Sequence, residues 1–331
     1  MRKVVYTRTG PAADVLALAE APVPEPGPGE VRVRIAFSGV NPSDTKSRAG
    51  TRSPALPFPQ VTPHSDGAGV VDAVGEGVPA HRVGERVWLW NAAWGRPDGT
   101  AAEFVVLPSA QAVRLPAGVP LDAGACLGIP GLTACHAVTG YGGVAGQRVL
   151  VAGGAGAVGH YAVQMARLAG AAQVIASVSS PAKAALALAA GAHAVVDYRR
   201  EDLVARVMSL TGGEGVHRVI EVDLAANAMH DFAMLATGGL AVVYGSGHPE
   251  ARVPFVPGIL KNLQLAFFIV YHLAPADRER CERQLERWLA EGALSHNIAL
   301  RLPLERVAEA HEAVESGQVA GNVVLAVSGE A

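Results

Sequence analysis

Along the chain the apolar positions change their rhythm twice. Up to residue 122, short runs rich in Val, Ile and aromatic residues (VRVRIAF, GAGVVDAVG, RVWLW, AAEFVVLP, AVRLP) stand between Gly/Pro-rich turns. Closely spaced β-runs of this kind predict a small, partly open β-barrel over 1–122. From 123 the pattern becomes continuous apolar runs alternating with helical stretches: RVLVAG, QVIASV, HAVVDY, RVIEVD, LAVVYG and LQLAFFIVY. Strands that are apolar on both faces belong to a parallel sheet covered by helices on both sides, so 123–271 predicts a doubly wound α/β domain. After His272 come a charged amphipathic helix (ADRERCERQLERWLAEG), the strand IALRLP, a second helix (LERVAEAHEAVESG) and the strand NVVLAV. This segment, 272–331, is expected to return and complete the first domain.

The junction between the first apolar run and its helix carries the chemistry. Residues 148–159 read RVLVAGGAGAVG, and Gly154, Gly156 and Gly159 fit G-x-G-x-x-G, with Gly153, Gly156 and Gly159 also three apart. A strand before and a helix after make this a dinucleotide fingerprint of the Rossmann type. Glycines let the backbone approach a pyrophosphate, and the helix N-terminus offers free N–H groups and the positive end of its dipole. The candidate cradle is Gly153, Ala155, Gly156, Ala157, Val158 and Gly159.

The residues that follow discriminate between nucleotides. An NAD site usually places Asp or Glu about 20 residues on, against the ribose hydroxyls, yet no acidic residue occurs from His160 to Val196. The second run ends instead in Ser177, Val178, Ser179 and Ser180, with Lys183 close behind. Hydroxyls and a cation suit a 2′-phosphate, which a carboxylate would repel, and so point to NADP(H). The serines equally suit caps for the helix beginning near Pro181, and both roles are compatible.

Composition narrows the class further. Half of the 331 residues are hydrophobic, 17% are charged, and the formal net charge is −3 with no basic run. That suits two globular domains and excludes nucleic acid as a natural partner. LQLAFFIVYHLA is too short to span a bilayer, and MRKVVYTRTG has no secretory h-region; a soluble, cytoplasmic protein without membrane contact is expected. Cys126, Cys135 and Cys281 form no spacing pattern and no disulfide framework. Basic residues are Arg-dominated, as in a GC-rich genome, a thermophile or both.

Taken together, GVNPSDTKSRAG at 39–50, HSDGAGVVDAVG at 64–75, GERVW at 84–88, GTAAEFVVLP at 99–108, LGIPGLTACHA at 127–137, the glycine turn and VYGSG at 243–247 resemble the medium-chain dehydrogenase/reductase superfamily. Within it they are similar to the zinc-free quinone oxidoreductase (zeta-crystallin-like) branch. The resemblance implies a GroES-like catalytic domain joined to a Rossmann domain. It also implies cofactor contacts from Asn41, Thr133, Tyr198, Gly245 and Ser246. For Asn41 a cap of a Pro-containing turn is the competing role. For Thr133 it is a hydroxyl at a helix start, and for Tyr198 an ordinary strand-end tyrosine. Lys46 stands where the family often has Tyr, which removes that residue as a proton donor. Trp90 and Trp94 either line a flat substrate pocket or pack their loop.

The zinc-dependent branch places Cys, His and Cys where this chain has Asn41, Ser65 and Ile129/Pro130, with His64 one residue out of step. Asn, Ser and Ile do not make the N/S donor set of a catalytic zinc, and no metal is expected. A substrate reduced without a Lewis acid must accept hydride unaided, as quinones and activated alkenes do. No side chain is assigned a catalytic role. The expectation is an NADPH-dependent quinone oxidoreductase. The alternatives are an enone or enoyl (2-alkenal) reductase and a non-catalytic NADPH-binding sensor or structural protein. A homodimer through the 263–271 run is expected, because an apolar edge strand needs cover.

Overall fold

In the computed structural model the described residues are 1–51 and 53–328. They form two units, one from residues up to Pro130 together with those from Glu286 onward, the other Gly131–Leu285. The boundaries thus fall later than the composition changes near 122 and 271, because the chain does not leave one core for the other where its rhythm changes.

The first unit contains β1 (Arg2–Val5), β2 (Ala17–Glu20), β3 (Glu30–Val40), β4 (Asp66–Val74), β5 (Arg86–Leu89), β6 (Phe104–Pro108) and β7 (Ala112–Arg114). The second contains β8 (Arg148–Val151), β9 (Gln173–Val178), β10 (Ala194–Asp197), β11 (Val216–Glu221), β12 (Leu235–Val243) and β13 (Gln264–Phe267). The chain ends in β14 (Ile298–Pro303) and β15 (Asn322–Ala326). A seven-stranded sheet runs β14-β15-β3-β4-β5-β7, with β6 also on β3. β3 therefore has three partners: β4 along one edge, β6 on Glu30–Arg34 and β15 on Phe37–Val40 of the other. β15, from the C-terminal segment, lies between β14 and β3 in this sheet. Val31, Val33, Ile35, Val87, Leu107 and Leu325 are fully buried in its core.

The second unit is one six-stranded parallel sheet in the order β10-β9-β8-β11-β12-β13. All six apolar runs are strands of it, and the order reverses between β8 and β11. The last run differs from expectation. β13 covers only four residues, and the chain then turns through a 3₁₀ segment at Val270–His272. β13 does form the edge. Its Phe267 is 66% exposed, whereas Phe268 packs edge-on against His136 with ring centroids 4.7 Å apart. A strand's sides alternate, and here Phe267 is the outward residue. No helix among the described residues is long and apolar enough to cross a membrane.

Candidate cofactor site

The glycine turn sits where the strand order reverses, which is where open α/β sheets bind ligands. After β8 the chain turns through Gly153, whose φ of +65° is a left-handed conformation that suits glycine. A Cβ on Gly159 would lie 2.1 Å from the Gly153 carbonyl oxygen, and one on Gly154 would lie 2.5 Å from the Ala176 Cβ of β9. The turn is thus pressed against the neighbouring strand and against its own helix, Ala157–Leu168, whose N-cap is Gly156. The first helical turn (Ala157, Val158, Gly159) has N–H groups with no carbonyl one turn back to bond. Gly153, Ala155 and Gly156 form the turn that leads into this helix end.

Four of the candidates, Ser177, Ser179, Lys183 and Tyr198, lie at or just beyond the C-terminal ends of β9 and β10. Ser177 is only 5% exposed, and its Oγ accepts the Gly153 N–H at 3.2 Å, while its carbonyl accepts from Gly154 at 3.0 Å. Its observed role is to brace the glycine turn. Ser180 caps helix Pro181–Ala189, accepting the backbone N–H of Lys183. That leaves half-buried Ser179 and Lys183, with the exposed Tyr198 beyond β10; the Tyr198 N–H donates to the Val178 carbonyl at 3.1 Å.

Reading acids by sequence distance alone missed one at this end. Asp197 of β10 is in register with Val178 of β9. Its carboxylate is already engaged, accepting from the Arg199 N–H at 3.1 Å and lying 3.7 Å from the Arg200 guanidinium. The same turn carries Arg199 and Arg200, and Glu201, which accepts the Asp197 N–H at 3.1 Å, while Ser179 and Lys183 follow the neighbouring strand β9.

The loops after β11 and β12 form the other side of the crevice. A Cβ on Gly153 would touch Val222 at 3.6 Å, and one on Gly245 would lie 2.3 Å from the Val222 carbonyl. The Gly247 N–H donates to Asp223 at 2.7 Å, and Ser246 Oγ donates to the His248 carbonyl at 2.7 Å. Gly245 and Ser246 therefore join the glycine turn through Val222–Asp223, a pair that the switch-point rule could have flagged. Beneath them lies a buried carboxyl pair. Glu221 accepts from the Asp223 N–H and from Asn227 at 2.9 Å. Asp231 is pushed up to about 9 by burial and then by the Glu221 charge, so it holds a proton at neutral pH.

Thr133 is buried in the first turn of helix Leu132–Thr139. Asn41 belongs to the first unit and is 3% exposed. It caps helix Pro42–Ala49, its N–H donating to Asp44 at 2.8 Å and its amide Nδ2 to Asp66 at 2.9 Å. The turn-cap role is the one the structure shows. Asp66 is fully buried, and burial holds its carboxyl well above the usual range, with the Asp44 charge adding to the effect. Both ring nitrogens of His64 are engaged, Nδ1 2.8 Å from Ser38 Oγ and Nε2 2.9 Å from His311 Nε2. The donor set at the positions of a dehydrogenase zinc is thus Asn41, Ser65 and Ile129, with Asn41 bonded to Asp66 and the adjacent His64 spent on other partners. Among the described residues no three His, Cys, Asp or Glu side chains gather as a metal group. Trp90 is half-buried and Trp94 is 38% exposed.

A family model described as an alcohol dehydrogenase GroES-like domain matches residues 27–117, and one described as a zinc-binding dehydrogenase matches 157–291. The quinone oxidoreductase of Rattus norvegicus is 31% identical over 294 residues, 87% of this chain and 86% of that protein. The chain belongs to the medium-chain dehydrogenase/reductase superfamily, on its zinc-free quinone oxidoreductase branch. It is accordingly an oxidoreductase. Among solved structures, Escherichia coli quinone oxidoreductase complexed with NADPH superposes with a TM-score of 0.87 at 28% identity, covering 99% of this chain and all of that one. An NAD-dependent alcohol dehydrogenase superposes with a TM-score of 0.91 at 34% identity and the same coverage. The superfamily thus carries both cofactors on this fold, and the nucleotide choice rests on the β9/β10 corner.

Proposed function

We propose that the protein is an NADPH-dependent reductase of quinones. The observation that carries this reading is the strand-end turn after β10, where the Arg199 N–H and the Arg200 guanidinium engage Asp197, together with Ser179 and the half-buried Lys183 that follow β9. A 2′-phosphate brings negative charge and acceptor oxygens to such a corner, and charge-assisted hydrogen bonds are the strong ones. The quinone oxidoreductase relatives and the NADPH-bound neighbour support the same reading. The fit of the nucleotide's pyrophosphate is given by Gly153–Gly159, where any Cβ at 154 or 159 would occupy the space needed by the fold itself.

The bound cofactor supplies hydride from its nicotinamide ring. The glycine turn and the helix N-terminus at Ala157 hold its diphosphate, and the Val222–Asp223 and Gly245–Ser246 loops wall the crevice. With Asn41 and His64 bonded to other groups, the acceptor must delocalise the incoming charge itself. Quinones do this by forming an aromatic hydroquinone. The acceptor's proton comes from solvent or a loop hydroxyl.

The protein is further proposed to be a homodimer formed along β13. Phe255, Val256, Ile259 and Leu260 of the preceding helix are 59–76% exposed and Phe267 is 66% exposed, a larger apolar surface than a single chain usually leaves bare.

The test is calorimetry with NADPH and NADH, followed by NADPH oxidation against a panel of quinones and 2-alkenals. NADPH should bind at least tenfold tighter, a difference of about 1.4 kcal/mol, and quinones should be turned over faster than alkenals. Equal or tighter NADH binding overturns the nucleotide assignment. Faster turnover of alkenals overturns the acceptor, and binding without turnover of either class overturns the enzyme reading.

A further inference from the structure

The two loops that wall the crevice are tied to each other by a side chain that a helix normally uses for itself. Asp223 follows β11 and is the N-cap of helix Leu224–Met234, yet its carboxylate makes no cap bond to that helix. An N-cap Asp usually accepts the N–H two or three residues on. Here Oδ1 reaches instead to the loop after β12 and accepts the Gly247 N–H at 2.7 Å. The two backbones meet beside it. The Leu224 N–H donates to the Gly245 carbonyl at 3.3 Å, and the Tyr244 N–H donates to the Glu221 carbonyl at 3.1 Å. Gly247 leaves the room that this contact requires. A Cβ there would lie 2.9 Å from Asp223 Oδ2, although the Gly247 backbone itself is not left-handed.

Asp223 is held from beneath. Glu221, the last residue of β11, is fully buried, and its Oε1 accepts the Asp223 N–H and, at 2.9 Å, the Asn227 amide. Asn227 stands one turn into the same helix. The Glu221 carboxylate thus fixes the backbone at 223, and the Asp223 carboxylate carries that constraint across to 247. Between them Val222 lies against the glycine turn, where a Cβ on Gly153 would touch it at 3.6 Å.

On the reading of the crevice as a dinucleotide site, we infer that Asp223 is a positioning residue, which latches the 244–247 loop to the 221–223 loop and so preorganises the crevice wall for the nicotinamide half of the cofactor. The strand order separates the two halves. Ser179, Lys183 and Tyr198 lie at the β9/β10 end of the sheet and the latch lies at β11/β12, with β8 and its glycine turn between them. A dinucleotide laid across this switch point with its 2′-phosphate at one end has its nicotinamide ribose at the other. A wall already in place needs no ordering when the ligand binds, whereas a released loop subtracts its ordering entropy from the affinity.

The experiment is calorimetry on the full chain with NADPH and with adenosine 2′,5′-bisphosphate, which carries the 2′-phosphate and lacks the nicotinamide half. Asp223→Ala should weaken NADPH about tenfold, the scale of one lost hydrogen bond to a charged group, and leave the bisphosphate within about twofold. Asp223→Asn keeps an oxygen that accepts the Gly247 N–H and should recover most of that loss. Gly247→Ala pushes the carboxylate away from the other side and should give the same loss, and the double variant Asp223→Ala/Gly247→Ala should be no worse than either alone. Unchanged NADPH affinity in Asp223→Ala overturns the latch, as do an equal loss on the bisphosphate, no recovery in Asp223→Asn, or losses that add in the double variant. A wild type that binds neither ligand overturns the dinucleotide reading, and the latch with it.

Discussion

The His64–His311 pair gives the first unit a built-in acid sensitivity whose size can be worked out. His64 is 1% exposed and His311 is fully buried, with their rings stacked at 5.1 Å between centroids. Burial brings His311 down to about 3, aided by the nearby Arg48 guanidinium, and burial together with His311 holds His64 well below the usual imidazole range. Both rings therefore stay neutral in the folded state while the unfolded chain protonates them below about 6.5. The unfolded state then binds more protons, so the stability is fully present above that pH and falls as pH drops. Each such histidine costs the native state about 1.4 kcal/mol per pH unit, so two of them cost about 5 kcal/mol between pH 6.5 and 4.5. That is comparable with the whole stability of a small domain. His311→Phe removes one of the two groups and should halve this slope. Near pH 8 the variant should be about 1–3 kcal/mol weaker than the wild type, from lost packing and an unpartnered His64 nitrogen; by pH 4.5 that deficit should have closed. All four tryptophans (Trp88, Trp90, Trp94 and Trp288) lie in the first unit, so urea titrations followed by tryptophan fluorescence at several pH values read this unit directly. An unchanged pH slope in His311→Phe, or a wild-type midpoint flat from pH 6.5 to 4.5, would refute the reasoning.

Three further outcomes are expected. Gly159→Ala puts a methyl 2.1 Å from the Gly153 carbonyl, and calorimetry should find NADPH affinity reduced at least tenfold, about 1.4 kcal/mol. Lys183→Ala should weaken NADPH about fivefold, about 1 kcal/mol, and leave NADH nearly unchanged; equal losses on both would remove Lys183 from the 2′-phosphate site. Leu260→Asp, on a residue 76% exposed, should shift light-scattering mass at micromolar concentration from twice 34.0 kDa toward the single-chain value. A wild type already at the single-chain mass would sink the dimer.

Much of the architecture was legible in the chain. Six apolar runs are six parallel strands, because strands buried on both faces carry a signal that needs no partner to be read. The glycine turn was legible for a related reason, since G-x-G-x-x-G between a strand and a helix has few other uses. LQLAFFIVY misled, because an unbroken apolar run does not say where β pairing stops. The sheet ends at Phe267, and Phe268 turns inward onto His136. Ser177 was assigned to the nucleotide, yet its oxygen braces Gly153; a hydroxyl's partner depends on the neighbouring strand, which sequence order hides. Asp197 was missed for the same reason, being twenty residues from Ser177 in sequence but one strand away in space.

The position of β15 also governs how the chain can be made. The half of β3 from Phe37 to Val40 is synthesised long before Val323–Ala326, its partner on that edge among the described residues. About 280 residues separate them, which at 5–20 residues per second is on the order of 15–60 s of translation. Through that interval the second unit has everything it needs to form, while the first waits with an open, apolar strand edge. Synthesis of Val323–Ala326 thus completes a sheet begun at Phe37–Val40, and a chain lacking β15 would keep its nucleotide fold and lose its barrel.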